Sequence, residues 1–128
     1  MAILKYTASA DNTIVNAFQP NLSTRGTGSN AGAADVLETF SIYGRALTPT
    51  ASNTSGSQEL SRILLQFPIT DITADRTAGN IPASGSVNFY LKVYNAETSK
   101  TVPKDFSLEV LPIAQTWQEG IGLDLENY

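Results

Sequence analysis

The amino-acid sequence predicts an all-β fold, a jelly-roll-like antiparallel β-sandwich with two long polar loops, and three observations predict it. Apolar residues recur with a period of two over several short runs, helical periodicity is nearly absent, and Gly, Pro and Asn punctuate the runs. The chain has 128 residues, the material of one domain spanning 1–128 and too little for two separate cores. At this length roughly two-thirds of the unfolded chain's surface leaves water on folding, so no metal or disulfide staple is required.

The strongest strand is Ser86-Val87-Asn88-Phe89-Tyr90-Leu91-Lys92-Val93-Tyr94, in which every odd position is apolar and the even positions are Ser, Asn, Tyr, Lys and Tyr. That is the pattern of a strand with one face on a core. Residues 61–69 repeat it: Ile63, Leu65, Phe67 and Ile69 share one parity, while Arg62, Leu64 and Gln66 share the other. Weaker strands are predicted at 3–7, 12–18, 36–43 and 106–113, all rich in branched and aromatic side chains. In the last of them Leu111 and Ile113 break the parity of Phe106, Leu108 and Val110, which predicts a bulge or bend near Pro112. One short helical turn is expected over 69–76, after Pro68. A jelly roll has about eight strands, and the sequence offers six or seven. Two long connections, 19–35 and 44–59, are made of small polar residues, and the second reads as an exposed arm.

Composition excludes much chemistry. Cysteine and histidine are both absent, which removes thiol nucleophiles, imidazole bases, serine–histidine triads and zinc fingers. Eight Lys+Arg against twelve Asp+Glu give a formal charge of −4, which argues against nucleic acid as a partner. Charged residues make up 16% of the chain, below the roughly 25% of an average soluble protein, which suits a protein covered by neighbours or one that works outside the cytosol. No apolar stretch has the length of a membrane span, and the first ten residues lack the hydrophobic segment of a secretory signal.

In order along the chain come Ala10-Asp11-Asn12-Thr13-Ile14-Val15, Ser29-Asn30-Ala31-Gly32, Leu37-Glu38, Ser61-Arg62-Ile63-Leu64-Leu65-Gln66-Phe67, Ile81-Pro82, Leu91-Lys92-Val93-Tyr94 and Trp117-Gln118-Glu119-Gly120. This ordered set resembles the disaggregatase-related repeat family, β-sandwich modules of microbial surfaces and some carbohydrate-binding proteins. The wording of 11–18, 37–43 and 103–117 is similar to structural proteins of tailed bacteriophages, particularly marine ones, that carry such a module. Members of the family normally continue past the Trp-x-Glu-Gly segment into further strands. The resemblance therefore implies that those strands lie outside this sequence or are supplied by another chain. It also implies a non-enzymatic virion structural protein (capsid decoration, or a tail, fibre or connector subunit) that assembles in multiple copies with other virion proteins. The alternative is a carbohydrate-binding module of a microbial surface or phage adhesin.

Candidate sites follow from residue type and position. Tyr90 and Tyr94 share the polar parity of the best strand, about 13 Å apart at strand rise, with Lys92 between them. Such rings can stack on sugars, anchor a protein interface or lie under the second long loop. Arg62 points outward from its strand near Glu59, where an outward Arg commonly pairs with a cross-strand acid. No cofactor is implied by any motif. Calcium is the one ion that the oxygen-only donor set suits, and Asp11, Asn12, Asp35 and Glu38 could gather at one end of a sandwich. The same residues equally serve turns by bonding their own backbone. Asp71 and Asp75 are four apart and would share a helix face, but a polar Thr-rich turn offers little to split two carboxyl pKa values. A solvated, capped turn is the expected role. Trp117 is expected to close the core. Asn21-Leu22-Ser23 and Asn53-Thr54-Ser55 match glycosylation sequons, which Asn/Ser/Thr-rich loops also generate by chance.

Overall fold

The computed structural model describes residues 3–19, 24–45, 56–83, 85–99, 104–123 and 125. The element order is β1 (Ala10–Val15), β2 (Ser41–Arg45), β3 (Gly56–Gln66) and α1 (Ile69–Thr77). The three strands form one antiparallel sheet of order β1-β3-β2. The chain divides into two compact units, Met1–Ile69 with Gln118–Tyr128, and Thr70–Trp117.

In the first unit, β3 is the central strand because it is long enough to serve two partners in succession. Its second half pairs with β1, from Val15 opposite Ser61 to Ala10 opposite Gln66. Its first half pairs with β2, from Ser41 opposite Leu60 to Arg45 opposite Gly56. Where one ladder gives way to the other, side chains stand in for backbone groups. The Asn16 N–H donates to the Leu60 carbonyl at 3.3 Å and Asn16 Oδ1 accepts from the Leu60 N–H at 2.6 Å. On the opposite edge the Ser61 N–H donates to the Phe40 carbonyl at 3.1 Å and Ser61 Oγ accepts from the Phe40 N–H at 2.7 Å. Just beyond, Glu59 Oε1 accepts from the Phe18 N–H at 2.9 Å. These bonds answer backbone groups of Phe18, Phe40, Leu60 and Ser61 where the partner changes.

The strand predicted over 61–69 is present and begins earlier, taking in residues 56–59 from the predicted arm; pairing with β2 decides that boundary, since the residues are too polar to announce a strand. The remainder of the arm, 46–55, and both sequons lie outside the described residues. The strands predicted at 12–18 and 36–43 appear displaced, as β1 and β2. Residues 3–7 form no strand. The loop at 19–35 does not stand free over its described part. It folds back on β1 through an Ile14–Asn30 bridge, a Phe18–Arg25 bridge and an Ala31 N–H to Thr13 carbonyl bond of 2.9 Å. Arg25 stacks its guanidinium 3.6 Å from the Phe18 ring centroid and donates to the Asn16 carbonyl.

The interior of this unit is small and polar. Ala17 and Ala31 are buried beside Asn12, Thr13 and Ser29, whereas Ile63, Leu64, Leu65 and Phe67 are only half-buried. Arg62 and Gln66 point to solvent as their parity predicts.

In the second unit, the predicted helical turn is the helix α1, one residue longer than expected. Asp71 in its first turn and Arg76 in its last suit the helix dipole. Its C-terminal end closes as a Schellman motif: Gly79 takes φ +79°, the Asn80 N–H donates to the Asp75 carbonyl at 2.9 Å, and the Gly79 N–H donates to the Arg76 carbonyl at 3.1 Å. Asp75 Oδ1 accepts from Asn80 Nδ2 at 2.9 Å, which is the capped-turn role expected of this acid.

The strongest sequence expectation departs from the structure. Residues 86–94 and 106–113 belong to no strand, so no bulge forms at Pro112. Both parities of 88–94 are outward, with Phe89 67% and Val93 68% exposed alongside Tyr90 and Tyr94, while Val87 is half-buried. Alternation specifies which face a strand would bury, but a strand exists only when a partner's N–H and C=O groups complete its ladder. Among the described residues no segment does so for these two runs. Trp117 is half-buried.

Candidate functional site

Residues 118–123 and 125 of the C-terminal segment are bound across β1 and the 29–33 loop, and this joint borders a cleft of the first unit. Asn30 is its centre. Asn30 Oδ1 accepts from the Gly122 N–H at 2.9 Å, its Nδ2 donates to the Gly28 carbonyl at 3.0 Å, and the Ala33 N–H donates to the Gly122 carbonyl at 2.9 Å. Ser29 Oγ donates to the Leu125 carbonyl at 2.6 Å, and Glu119 Oε1 accepts from the Asp11 N–H at 2.8 Å. The approach is close enough to require glycine. A Cβ on Gly32 would lie within 3.0 Å of the Gly120 backbone, and one on Gly122 within 3.0 Å of the Asn30 carbonyl. Three of the segments that carried the family resemblance, at Asp11-Asn12, Ser29–Gly32 and Glu119-Gly120, therefore meet in space although more than 80 residues separate the last from the others.

Beside this joint lies a cleft of about 280 Å³ lined by Thr13, Ala31, Ala34, Asp35, Val36, Glu38, Leu123 and Leu125. Thr13 is wholly buried and its Oγ1 accepts from the Glu38 N–H at 3.1 Å, which pins the backbone at Glu38 against β1. The other lining residues are mostly aliphatic, and among the described residues the charged ones are Asp35 and Glu38, both exposed to solvent.

The four residues considered for calcium are thus divided. Asp35 and Glu38 share the cleft; Asp11 and Asn12 are not among its lining residues. Asp11 joins the C-terminal segment through its backbone N–H, and Asn12, 5% exposed, holds a buried Oδ1 without a hydrogen-bond partner. Among the described residues no three Asp or Glu side chains gather around a common point.

The aromatic candidates lie in the second unit. Tyr90 is 86% and Tyr94 80% exposed, and Lys92 Nζ sits 4.9 Å from the Tyr94 ring centroid, a cation–π contact. The cation between the two rings is thereby engaged with one of them. Arg62, in the first unit, is exposed on β3, and the residue opposite it on β1 is Ile14, where an acid was expected; Glu59 is turned to the Phe18 backbone. No described helix is long and apolar enough to cross a membrane.

Sequence reasoning did not find the cleft. Its aliphatic wall comes from Ala31, Ala34 and Val36 on one side and Leu123 and Leu125 on the other, positions with no common periodicity. The one available signal was Gly120-Ile121-Gly122, whose spaced glycines mark a close backbone approach. Compared with family models, with curated proteins and with solved structures, the chain matches none.

Proposed function

We propose that this chain is a non-enzymatic structural subunit of a tailed-bacteriophage particle, present in many copies and joined to its neighbours through edge strands and loops. The observation that carries the assembly reading is the exposure of Phe89, Leu91, Val93, Phe106, Leu108, Val110 and Ile113 on two runs with no ladder partner among the described residues. Burying the exposed parts of these seven side chains would remove roughly 700 Å² from water, close to the about 800 Å² that each partner contributes to a standard interface. Apolar side chains left in water on extended runs without a ladder invite strand addition. β2 offers a second point of addition, since β3 alone pairs with it among the described residues. On this reading the jelly-roll-like sandwich is completed on assembly, when 86–94 and 106–113 acquire partner strands. The phage particle as the setting, and the virion as location, rest on the resemblance carried by the motifs from Asp11 to Gly120.

Analytical ultracentrifugation with hydrogen exchange tests the proposal. Association is expected to rise with concentration, with amides of 86–94 and 106–113 gaining protection as it does, and Phe89→Ser is expected to weaken it. A chain that stays monomeric at high concentration, with those amides already protected, refutes it. The exposed Tyr90 and Tyr94 rings favour a second reading, a carbohydrate-binding module. Reproducible binding on a glycan array that is lost in Tyr90→Ala would select it.

A further inference from the structure

We infer that the run 86–94 of one copy pairs with the run 106–113 of a second copy of this chain, with Lys92 set beside Asp105 and Glu109. The inference rests on the assembly reading and gives it a partner and a register. Phe89-Tyr90-Leu91-Lys92-Val93 and Phe106-Ser107-Leu108-Glu109-Val110 carry one pattern, Phe-x-Leu-charge-Val, and the charge has opposite sign in the two. All six apolar side chains are exposed, Leu91 least at 48%. Lys92, Asp105 and Glu109 are exposed as well. Neither run takes part in a strand or a bridge among the described residues, so a single copy leaves the match unmade.

The register follows from the pattern. Side chains of paired strands bury together only when their apolar positions share a face, and leucine is the middle of each apolar triplet, so Leu91 falls opposite Leu108 whichever way the strands run. Antiparallel pairing then sets Phe89 opposite Val110 and Val93 opposite Phe106. It places Lys92 opposite Ser107, with Asp105 and Glu109 at the two diagonal positions, within reach of a long side chain. Parallel pairing sets Lys92 opposite Glu109 itself. The contact of Lys92 Nζ with the Tyr94 ring, 4.9 Å from its centroid, fits either arrangement, because residues two apart share one face of a strand. A run paired with its own counterpart lacks this complement: parallel pairing opposes Lys92 to Lys92, and antiparallel pairing gives Lys92 no acid. Reciprocal exchange between two copies makes two such ladders, each with one apolar face, and those faces packed together bury what one ladder would leave wet.

Sedimentation of charge-reversed proteins tests the pairing. Lys92→Glu and Asp105→Lys/Glu109→Lys should each self-associate roughly tenfold more weakly than the unaltered chain, since each sets like charges side by side in both ladders. An equimolar mixture of the two should recover the lost affinity. Lys5→Glu makes the same change of net charge as Lys92→Glu, at an exposed position of the first unit, and should associate like the unaltered chain. The sequence has no cysteine, so Leu91→Cys and Leu108→Cys each introduce a single thiol. Under mild oxidation their mixture should form the crossed disulfide faster than either protein cross-links to itself. Failure of the mixture to recover, equal weakening by Lys5→Glu, or self-cross-linking as fast as crossed overturns the pairing. Association that Phe89→Ser still weakens would then leave the assembly proposal standing on another contact, whereas a chain that is monomeric throughout overturns both.

Discussion

Replacing Gly32 by alanine tests the joint between the C-terminal segment and the 29–33 loop most directly. The new Cβ would fall within 3.0 Å of three backbone atoms of Gly120, and backbone cannot swing aside as a flexible side chain can. The least costly response is a small shift of the 118–122 backbone, an overpacking penalty of about 1 kcal/mol. The most costly is release of the segment, which surrenders four hydrogen bonds: Gly122 to Asn30, Ala33 to Gly122, Ser29 to Leu125 and Asp11 to Glu119. At about 1 kcal/mol net for each, release costs about 4 kcal/mol. Alanine also stiffens the unfolded chain, which offsets about 0.4–1 kcal/mol. The expected destabilisation therefore runs from near zero, if the backbone shifts, to about 3.5 kcal/mol, if the segment is released. For a domain of this size release corresponds to a fall in Tm of roughly 10–14 °C. Urea denaturation measures the total, and hydrogen exchange locates it: the amides of Asp11, Ala33 and Gly122 should lose protection while the β1–β3 ladder from Asn12 to Val15 keeps its own. An unchanged midpoint with unchanged protection at Gly122 would refute the close approach.

Three further outcomes are expected. Thr13→Val keeps the shape of a wholly buried side chain but leaves the Glu38 N–H without its acceptor, so chemical denaturation should show a loss of about 1–2 kcal/mol and the Glu38 amide should exchange faster. Gly79→Ala has open space around its Cβ, so only the φ of +79° resists it; a loss of about 1 kcal/mol is expected, read as fraying of the last turn of α1 by amide exchange at Gly79 and Asn80. Millimolar calcium should leave Tm unchanged, because calcium takes six to eight oxygen ligands and the cleft supplies two carboxylates; a rise in Tm that disappears in Asp35→Asn would show that the ion binds there.

Legibility followed the range of the interactions involved. The helix was readable because each of its determinants lies within twelve residues: Pro68 before it, Asp71 and Arg76 at its two ends, and Gly79 free to take positive φ beyond it. The run from Ile63 to Phe67 was readable as a strand from its alternation, and Arg62 and Gln66 do face solvent. Residues 86–94 alternate even more regularly, yet no ladder forms on them, because alternation records a face and cannot supply a partner. The 19–35 connection read as a polar loop; what made its later part an ordered cover for β1 was the Asn30 side chain acting as a surrogate peptide group toward Gly28 and Gly122. Asp35 and Glu38 were singled out for their oxygens together with Asp11 and Asn12; the first two line one cleft and the other two are not among its lining residues.

Composition and local pattern determined the β-rich character, the position and ends of α1, and the lack of thiol and imidazole chemistry, since these depend on residue type and on neighbours a few positions away. Tertiary structure alone decided that β3 would divide itself between two partners, that Asn12 and Thr13 would be buried while Phe89 and Val93 were not, and that Leu123 would meet Asp35 across a cleft. Those outcomes turn on closing long stretches of chain and satisfying backbone groups between distant segments, a free-energy balance to which no short window of sequence has access.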